Sequence, residues 1–169
     1  MVKTLAGLIP LAVGVALYGA AVWFLLARNV ALGRWLFAAF LAGHGFVHVM
    51  FAVPRPATAA ATDGLAYPFD LSQSWLVNAG LQAGAIRTIG IGLVVVIVVG
   101  YLLAAFSTVG LLVPEGWWPG LVLASTAASA CLLAVAFSPG MLLGFAIDAV
   151  LGWLAFSARW TPAIGFGGA

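Results

Sequence analysis

The sequence predicts an all-α polytopic transmembrane helical bundle of about five spans. Of its 169 residues, 65% are hydrophobic and only 6% are charged, whereas soluble domains carry roughly 25% charged residues. Apolar runs near the ~20 residues that a membrane-crossing helix needs recur along the whole chain. Short segments containing proline, glycine or arginine separate them. We therefore interpret residues 1–169 as one integral membrane domain, with four spans plus an interfacial helix as the alternative.

The first two predicted spans precede the long loop. The first covers residues 5–26 and is longer than the ~7–15 residues of a signal-peptide core, so we expect it to be retained as a helix. The second covers residues 35–53. It ends at Pro54-Arg55-Pro56, because proline cannot continue a helix and restricts the residue before it.

Residues 54–85 are predicted to be loop and interfacial structure. Asp70 or Ser72 can cap a new helix, since short polar side chains accept hydrogen bonds from the first free backbone amides. Tyr67 and Trp75 have the apolar ring and polar edge that favour the membrane interface. Tyr67, Asp70 and Trp75 are thus expected to anchor this segment or to form a lid over a polar site.

The third predicted span is part of a longer helical pattern. Residues 74–108 would measure about 52 Å as one helix, against a hydrocarbon core of ~30 Å. A bend at Gly80 or Gly84 would resolve this mismatch. We place the span itself at residues 86–108.

Two further spans are predicted at residues 117–137 and 141–160. Ser138-Pro139-Gly140 separates them. As a kink it would leave a helix over 117–160 of about 66 Å, which is far too long for one crossing. We therefore interpret these three residues as a hairpin turn.

The strongly polar side chains of the spans are predicted to share one half of the bilayer, beneath the long loop. His44 and His48 lie one helical turn apart, and distances counted from helix ends place Asp148 at a similar depth. Arg87 is predicted to enter the membrane near the same side. Polar groups inside a membrane usually face protein or water and mark a site. One interpretation is a pocket for a ligand or proton. Another is purely structural: an ion pair or hydrogen-bonded knot of Arg87 and Asp148 that fixes helix register, with His44 and His48 hydrogen-bonded to neighbouring helices. The predicted pocket residues are His44, His48, Arg87 and Asp148, with Asn78 and Gln82 at the mouth.

Glycines surround Asp148 at a spacing of four. Gly140, Gly144 and Gly152 would form a groove in the fifth span that lets another helix approach closely. The predicted partner surface on the fourth span is Ala124, Ser125, Ala128 and Ser129. Asp148 would then be buried at a helix contact, although the same groove could serve an oligomer.

The number and spacing of histidine, cysteine and basic residues limit the cofactors and partners. His44 and His48 lie on one helix face and cannot bind haem iron from opposite sides, so bis-histidine haem is excluded. A metal bound by His44, His48 and Asp148, or a quinone, stays an alternative. The single cysteine permits no intrachain disulfide, and no basic run could follow a nucleic acid. The expected partners are the lipid bilayer and either further copies of the chain or a larger membrane complex.

Three short motifs carry a resemblance. The segment from Leu41 to His48, the segment from Tyr67 to Trp75 and Arg159-Trp160-Thr161-Pro162 resemble small bacterial membrane proteins of uncharacterised activity. About ten residues also resemble DoxX-like membrane proteins, a family linked to quinone or thiol redox. The lysine that often ends that family's motif is replaced here by Val47-His48. The resemblance implies a helical bundle and, for the second family, quinone-linked redox chemistry.

The sequence thus favours a multi-pass protein of a bacterial cell membrane. The leading hypothesis is a non-enzymatic ligand binder, transport helper or accessory subunit. The alternatives are a quinone-linked redox protein of DoxX-like type and a small channel or transporter subunit. Arg28 and Arg34 lie in a short loop without acidic residues, which favours an N-terminus outside and a C-terminus inside the cell.

Overall fold

The computed structural model describes residues 2–53 and 69–157, and within them five helices are long and apolar enough to cross a membrane. The helices are α1 (Val2–Ala27), α2 (Ala31–Val47), α3 (Trp75–Asn78), α4 (Ala83–Thr108), α5 (Trp118–Val135) and α6 (Leu142–Phe156). Short 3₁₀ turns lie at His48–Phe51, Leu71–Gln73, Glu115–Trp117 and Pro139–Met141. This confirms the predicted all-α polytopic bundle, and the chain is a multi-pass membrane protein.

A tight turn joins α1 to α2, so the second helix begins at Ala31, four residues before the predicted start of its span. Asn29 takes a positive φ of 54° in this turn. Gly33 then packs so closely on the end of α1 that a Cβ there would lie 2.9 Å from the backbone nitrogen of Leu26. Backbone contact of this kind requires glycine, and it sets the crossing point of the two helices.

The predicted bend before the third long span is present at Gly80. This residue takes a φ of 95°, a left-handed conformation that glycine adopts without a Cβ penalty. It separates the four-residue helix α3 from α4, which starts at Ala83 and not at residue 86. With 26 residues, α4 is about 39 Å long and therefore extends beyond a ~30 Å hydrocarbon core.

Helices α5 and α6 form the antiparallel hairpin that the sequence predicts. Ser129 on α5 contacts Asp148 on α6, and Leu133, one turn later on α5, packs against Gly144, one turn earlier on α6. The two helices therefore run in opposite directions. A Cβ on Gly144 would lie 3.0 Å from Leu133 Cδ1, while a Cβ on Gly152 would lie 3.7 Å from Thr126 Oγ1. Gly140 lies in the turn Pro139–Met141 before α6, and so only two of the three glycines are on the helix contact.

The core lies between α2, α4, α5 and α6, with α4 against both α2 and α5. Fully buried side chains at its centre include Leu41, Ile97, Tyr101, Trp118 and Leu132. Helix α1 is peripheral, since it contacts α2 and the turn before α6 but leaves most of its surface exposed. Tyr67, in the predicted loop, and residues 158–160, at the predicted end of the fifth span, lie outside the described residues.

Candidate functional site

Asp148 is the centre of a buried polar site. It lies in the second turn of α6 and is only 4% exposed. Its Oδ1 atom lies 3.0 Å from His44 Nε2 and accepts a hydrogen bond of 2.9 Å from the Tyr101 hydroxyl. Its Oδ2 atom lies 2.6 Å from Ser129 Oγ. Side chains from α2, α4 and α5 thus meet one carboxyl group on α6.

Ser129 extends the site to the second histidine. Its Oγ atom lies 2.8 Å from His48 Nε2. The other ring nitrogen of His48, Nδ1, lies 2.9 Å from the backbone oxygen of His44. We refer to the five residues His44, His48, Tyr101, Ser129 and Asp148 as the Asp148 network. All five side chains are buried, with exposures from 0% to 9%.

Close packing between α2 and α4 fixes the positions of the network side chains. A Cβ on Gly45 would lie 3.0 Å from Tyr101 Cβ, so the absence of a side chain at Gly45 lets the two helices approach. The ring of Phe40 stacks on His44 at a centroid distance of 6.1 Å, and the Tyr101 ring meets His44 edge-on at 5.2 Å. The imidazole of His44 is therefore held in place from two sides.

The structure brings together three of the six residues predicted for a pocket. His44, His48 and Asp148 meet in the network, whereas Asn78, Gln82 and Arg87 are exposed and lie outside it. No ion pair joins Arg87 to Asp148 among the described residues, so the alternative of an Arg87–Asp148 pair is wrong. The acid is paired with His44 instead.

Arg87 lies at a separate cavity of about 420 Å³ near the start of α4. Asp70 is on the same cavity wall, and Phe51, Phe69 and Leu71 contribute apolar surface. None of the network residues lines this cavity. The exposed residues of the long-loop side and the buried network are thus two distinct polar regions.

The segment around Asp70 and Trp75 is fastened to the end of α5. Asp70 caps the turn Leu71–Gln73, as predicted, by accepting a 3.0 Å hydrogen bond from the Ser72 backbone amide. Ser74 Oγ donates to the Val135 carbonyl at 2.6 Å, and Trp75 Nε1 donates to the Ala134 carbonyl at 2.8 Å. These carbonyls belong to the last turn of α5, where no intrahelical partner exists. The segment therefore satisfies a helix end close to the network.

Tyr101 and Ser129 are the network residues that sequence analysis did not identify as site residues. Ser129 was predicted only as part of a packing surface, and Tyr101 was not singled out. A phenol in the middle of an apolar span was nevertheless a signal, because a buried tyrosine hydroxyl usually has a hydrogen-bond partner. Ser129 gave a weaker signal, because a serine hydroxyl can donate to a backbone carbonyl of its own helix. Ser125 does so by donating to the Leu121 carbonyl.

The metal alternative with His44, His48 and Asp148 is not supported by the geometry. Residues 2–53 and 69–157 contain no group of three or more His, Cys, Asp or Glu side chains that could hold a metal ion. The reason is visible at Ser129, whose hydroxyl lies between His48 and the carboxyl group of Asp148. The three side chains are linked in a chain and do not converge on one point.

A wide apolar groove of about 490 Å³ runs between α1, α2 and α6. Its walls include Gly19 and Trp23 on α1 and Val150 on α6, and Phe40 on α2 also lines it. The one tyrosine in it, Tyr18, donates its hydroxyl to the Leu36 carbonyl at 2.6 Å. Because Phe40 stacks on His44, one aromatic ring lies between this groove and the network.

The comparisons with known proteins find no matching family model, no matching curated protein and no matching solved structure. The fold and the site by themselves define the class: a five-span helical membrane protein with a carboxyl-centred hydrogen-bond network buried among four helices.

Proposed function

We propose that this protein is a non-enzymatic, proton-binding membrane protein, acting as a transport helper or accessory subunit of a larger membrane complex. Its Asp148 network would take up and release a proton. The observation that carries this proposal is the contact of both Asp148 carboxyl oxygens with side chains from three other helices, in a position that is 4% exposed.

Opposing effects act on this carboxyl group. An apolar, membrane-level environment disfavours a charge, whereas hydrogen-bond donors favour the carboxylate. The two histidines supply bases that can hold or return a proton close by. Protonation of such a group changes the hydrogen bonds of four helices together, which gives a means of linking proton uptake to the packing of the bundle.

A proton is also the ligand that fits the available space. The network residues line neither the 420 Å³ cavity at Arg87 nor the 490 Å³ groove beside α1. The network is instead filled by its own side chains at hydrogen-bond distances of 2.6–3.0 Å. A proton can bind there without displacing any of them.

Infrared difference spectroscopy of the protein in lipid tests the proposal directly. The chain holds only four acidic residues, so a carboxylic acid band that appears as the pH falls can be assigned by substitution. We expect a reversible band that Asp148→Asn removes and that Glu115→Gln, a change outside the network, leaves in place. An Asp148 that stays ionised over the whole pH range of the folded protein would contradict the proposal.

Reconstitution in liposomes separates a helper from a transporter. A helper gives no proton flux by itself, whereas flux that is lost in Asp148→Asn would assign the protein to the channel or transporter class. The dye-reported pH inside the liposomes, under an imposed potassium gradient, measures this difference.

A quinone-binding role is the second candidate, and the apolar groove favours it. The groove is open toward lipid and could accept an isoprenoid tail, in agreement with the resemblance to DoxX-like proteins. Extraction of quinone from the protein purified in mild detergent tests this role. A Gly19→Leu variant, which would fill part of the groove, should then retain less quinone than the wild type.

We further propose that the protein lies in a cell membrane with its N-terminus outside and its C-terminus inside. Arg28 and Arg34 flank the short turn between α1 and α2, and positive charges in short loops favour the cytoplasmic side. His44 and His48 would then be nearer the outer surface, because they lie at the end of α2 away from Arg34. Labelling of an Asn29→Cys variant with a membrane-impermeant thiol reagent tests this orientation. Labelling of intact cells from outside would contradict it, because residue 29 should lie on the cytoplasmic side.

A further inference from the structure

A chain of hydrogen bonds runs from the His44 carbonyl through His48 and Ser129 to Asp148. It needs one more hydrogen than a neutral His48, the Ser129 hydroxyl and an ionised Asp148 provide together. The chain has three contacts: the His44 carbonyl oxygen to His48 Nδ1 at 2.9 Å, His48 Nε2 to Ser129 Oγ at 2.8 Å, and Ser129 Oγ to Asp148 Oδ2 at 2.6 Å. Each contact requires one hydrogen, because otherwise two lone pairs would face each other. A neutral imidazole supplies one, a serine hydroxyl supplies one and a carboxylate supplies none.

The third hydrogen can occupy two places. In the first arrangement, His48 is an imidazolium that donates from both nitrogens, Ser129 donates to Asp148 and the carboxyl group is ionised. In the second, Asp148 is protonated on Oδ2 and donates to Ser129 Oγ, the Ser129 hydroxyl donates to His48 Nε2 and His48 is neutral. In both arrangements His48 Nδ1 donates to the His44 carbonyl.

The other carboxyl oxygen does not change between these arrangements. Oδ1 lies within hydrogen-bond distance of His44 Nε2 and accepts from the Tyr101 hydroxyl. A carboxylate oxygen and the carbonyl oxygen of a carboxylic acid can both accept these two bonds. With the His44 proton on Nε2, both bonds at Oδ1 are accepted in either arrangement, and the exchangeable proton belongs to the Oδ2 side, where Ser129 is the partner.

From this count we propose that Ser129 relays one shared proton between His48 Nε2 and Asp148 Oδ2. The N–H bond of His48 breaks as its proton passes to Ser129 Oγ, and the hydroxyl proton of Ser129 passes to Asp148, forming the O–H bond. The pair changes from an imidazolium and a carboxylate to two neutral groups, so total charge and the number of protons stay constant. This relay rests on the proposed function, since it is the route by which Asp148 would gain or lose its proton.

The two arrangements of the relay differ in electrostatic free energy, because one is a pair of opposite charges and the other is two neutral groups. Two opposite charges buried away from water carry a desolvation cost that their mutual attraction offsets only with good geometry. Two neutral groups avoid that cost, while the donors at Oδ1 favour the charged pair. The groups that face Asp148 from each packed helix are His44 on α2, Tyr101 on α4 and Ser129 on α5, with His48 just beyond α2.

Nitrogen-15 solid-state NMR of the His48 ring in lipid bilayers tests the relay. In the wild type, we expect the Nε2 signal to lie between those of a protonated and a bare ring nitrogen, because the proton is shared. The Asp148→Asn variant mimics the protonated acid, since the new amide can donate to Ser129 Oγ. We therefore expect this substitution to shift Nε2 fully to the bare form and to leave Nδ1 protonated.

The role of Ser129 is tested by introducing Asp148→Asn into a Ser129→Ala background and measuring the same His48 signals. Without the hydroxyl, we expect Asp148→Asn to leave the His48 signals unchanged. Ser125→Ala is the matched control, because Ser125 is equally buried one turn away on α5 and bonds only to its own helix. In that background the shift caused by Asp148→Asn should be retained.

Three outcomes would overturn the relay: an equal shift in the Ser129→Ala background, a wild-type His48 with one fixed protonation state, or no response to Asp148→Asn. If Ser129→Ala does not fold, the wild-type and Asp148→Asn spectra still test the relay. They show whether His48 Nε2 has an intermediate signal and whether Asp148→Asn shifts it. Failure of the proposed function would show separately, as an Asp148 infrared band that does not titrate.

Discussion

The Nε2 atom of His44 lies 3.0 Å from Oδ1 of Asp148, although 104 positions of sequence separate the two residues. This contact joins α2 to α6, which are not neighbours along the chain. Both side chains are buried, at 9% and 4% exposure. The ion pair or hydrogen bond between them therefore depends on the complete bundle, and changes at either residue report on how the four core helices meet.

Replacement of Asp148 should distinguish the loss of charge from the loss of an acceptor. Asp148→Leu leaves the side chains of His44, Tyr101 and Ser129 without their buried partner, and we expect a loss of about 3–5 kcal/mol in the free energy of unfolding. Asp148→Asn keeps a carbonyl oxygen and should cost about 1–2 kcal/mol. Thermal or denaturant unfolding in detergent measures both variants. Equal stability of the two would show that these donors do not depend on the carboxyl group.

Removal of the Tyr101 hydroxyl should cost more than removal of the Tyr18 hydroxyl. Tyr101 donates to a buried acid, whereas Tyr18 donates to the backbone oxygen of Leu36 from a half-buried position. Hydrogen bonds to a charged partner contribute about 1.5–3 kcal/mol and neutral ones about 0.5–1.5 kcal/mol. Unfolding of Tyr101→Phe and Tyr18→Phe under the same conditions compares them. A larger effect for Tyr18→Phe would argue against a carboxylate at Asp148.

Gly45 and Gly43 form a matched pair for the close approach of α2 to α4. A Cβ on Gly45 would lie 3.0 Å from Tyr101 Cβ, while a Cβ on Gly43 meets nothing within 4 Å. We expect Gly45→Ala to lower stability by about 1–3 kcal/mol through overpacking and to move Tyr101 relative to Asp148. Gly43→Ala should be neutral or stabilising by up to about 1 kcal/mol, since alanine favours helix. The melting temperatures of the two variants check this, and a destabilised Gly43→Ala would contradict it.

Loss of the Trp75 indole N–H should loosen the segment that closes the end of α5. The bond to the Ala134 carbonyl is 2.8 Å long, and phenylalanine keeps the ring surface but cannot donate. Hydrogen–deuterium exchange at the backbone amide of Ala79, which closes α3 on the Trp75 carbonyl, should become faster in Trp75→Phe. Trp153→Phe, on an exposed face of α6, is the control and should leave this exchange unchanged.

Much of the fold could be predicted from the sequence because its signals are local. Apolar runs, proline and glycine set the helix limits, and the bend at Gly80 and the hairpin between α5 and α6 follow from the maximum length of one crossing. Depth is local too, since each residue adds ~1.5 Å along a helix. His44, His48 and Asp148 could therefore be assigned to the same half of the bilayer without knowledge of any contact.

What the sequence by itself determined is thus the class of protein, its helices and the similar depth of His44, His48 and Asp148. Only the tertiary structure decided the rotation of each helix about its axis, and with it the partners of Asp148. Arg87 lies fourteen residues before Tyr101, about 21 Å away along α4, and on an exposed face, whereas Tyr101 and Ser129 face the acid. The physical reason is that lipid is as apolar as the core, so hydrophobicity does not show which face of a membrane helix is buried. Close packing at residues such as Gly45 fixes that face, and such packing exists only once the helices have met.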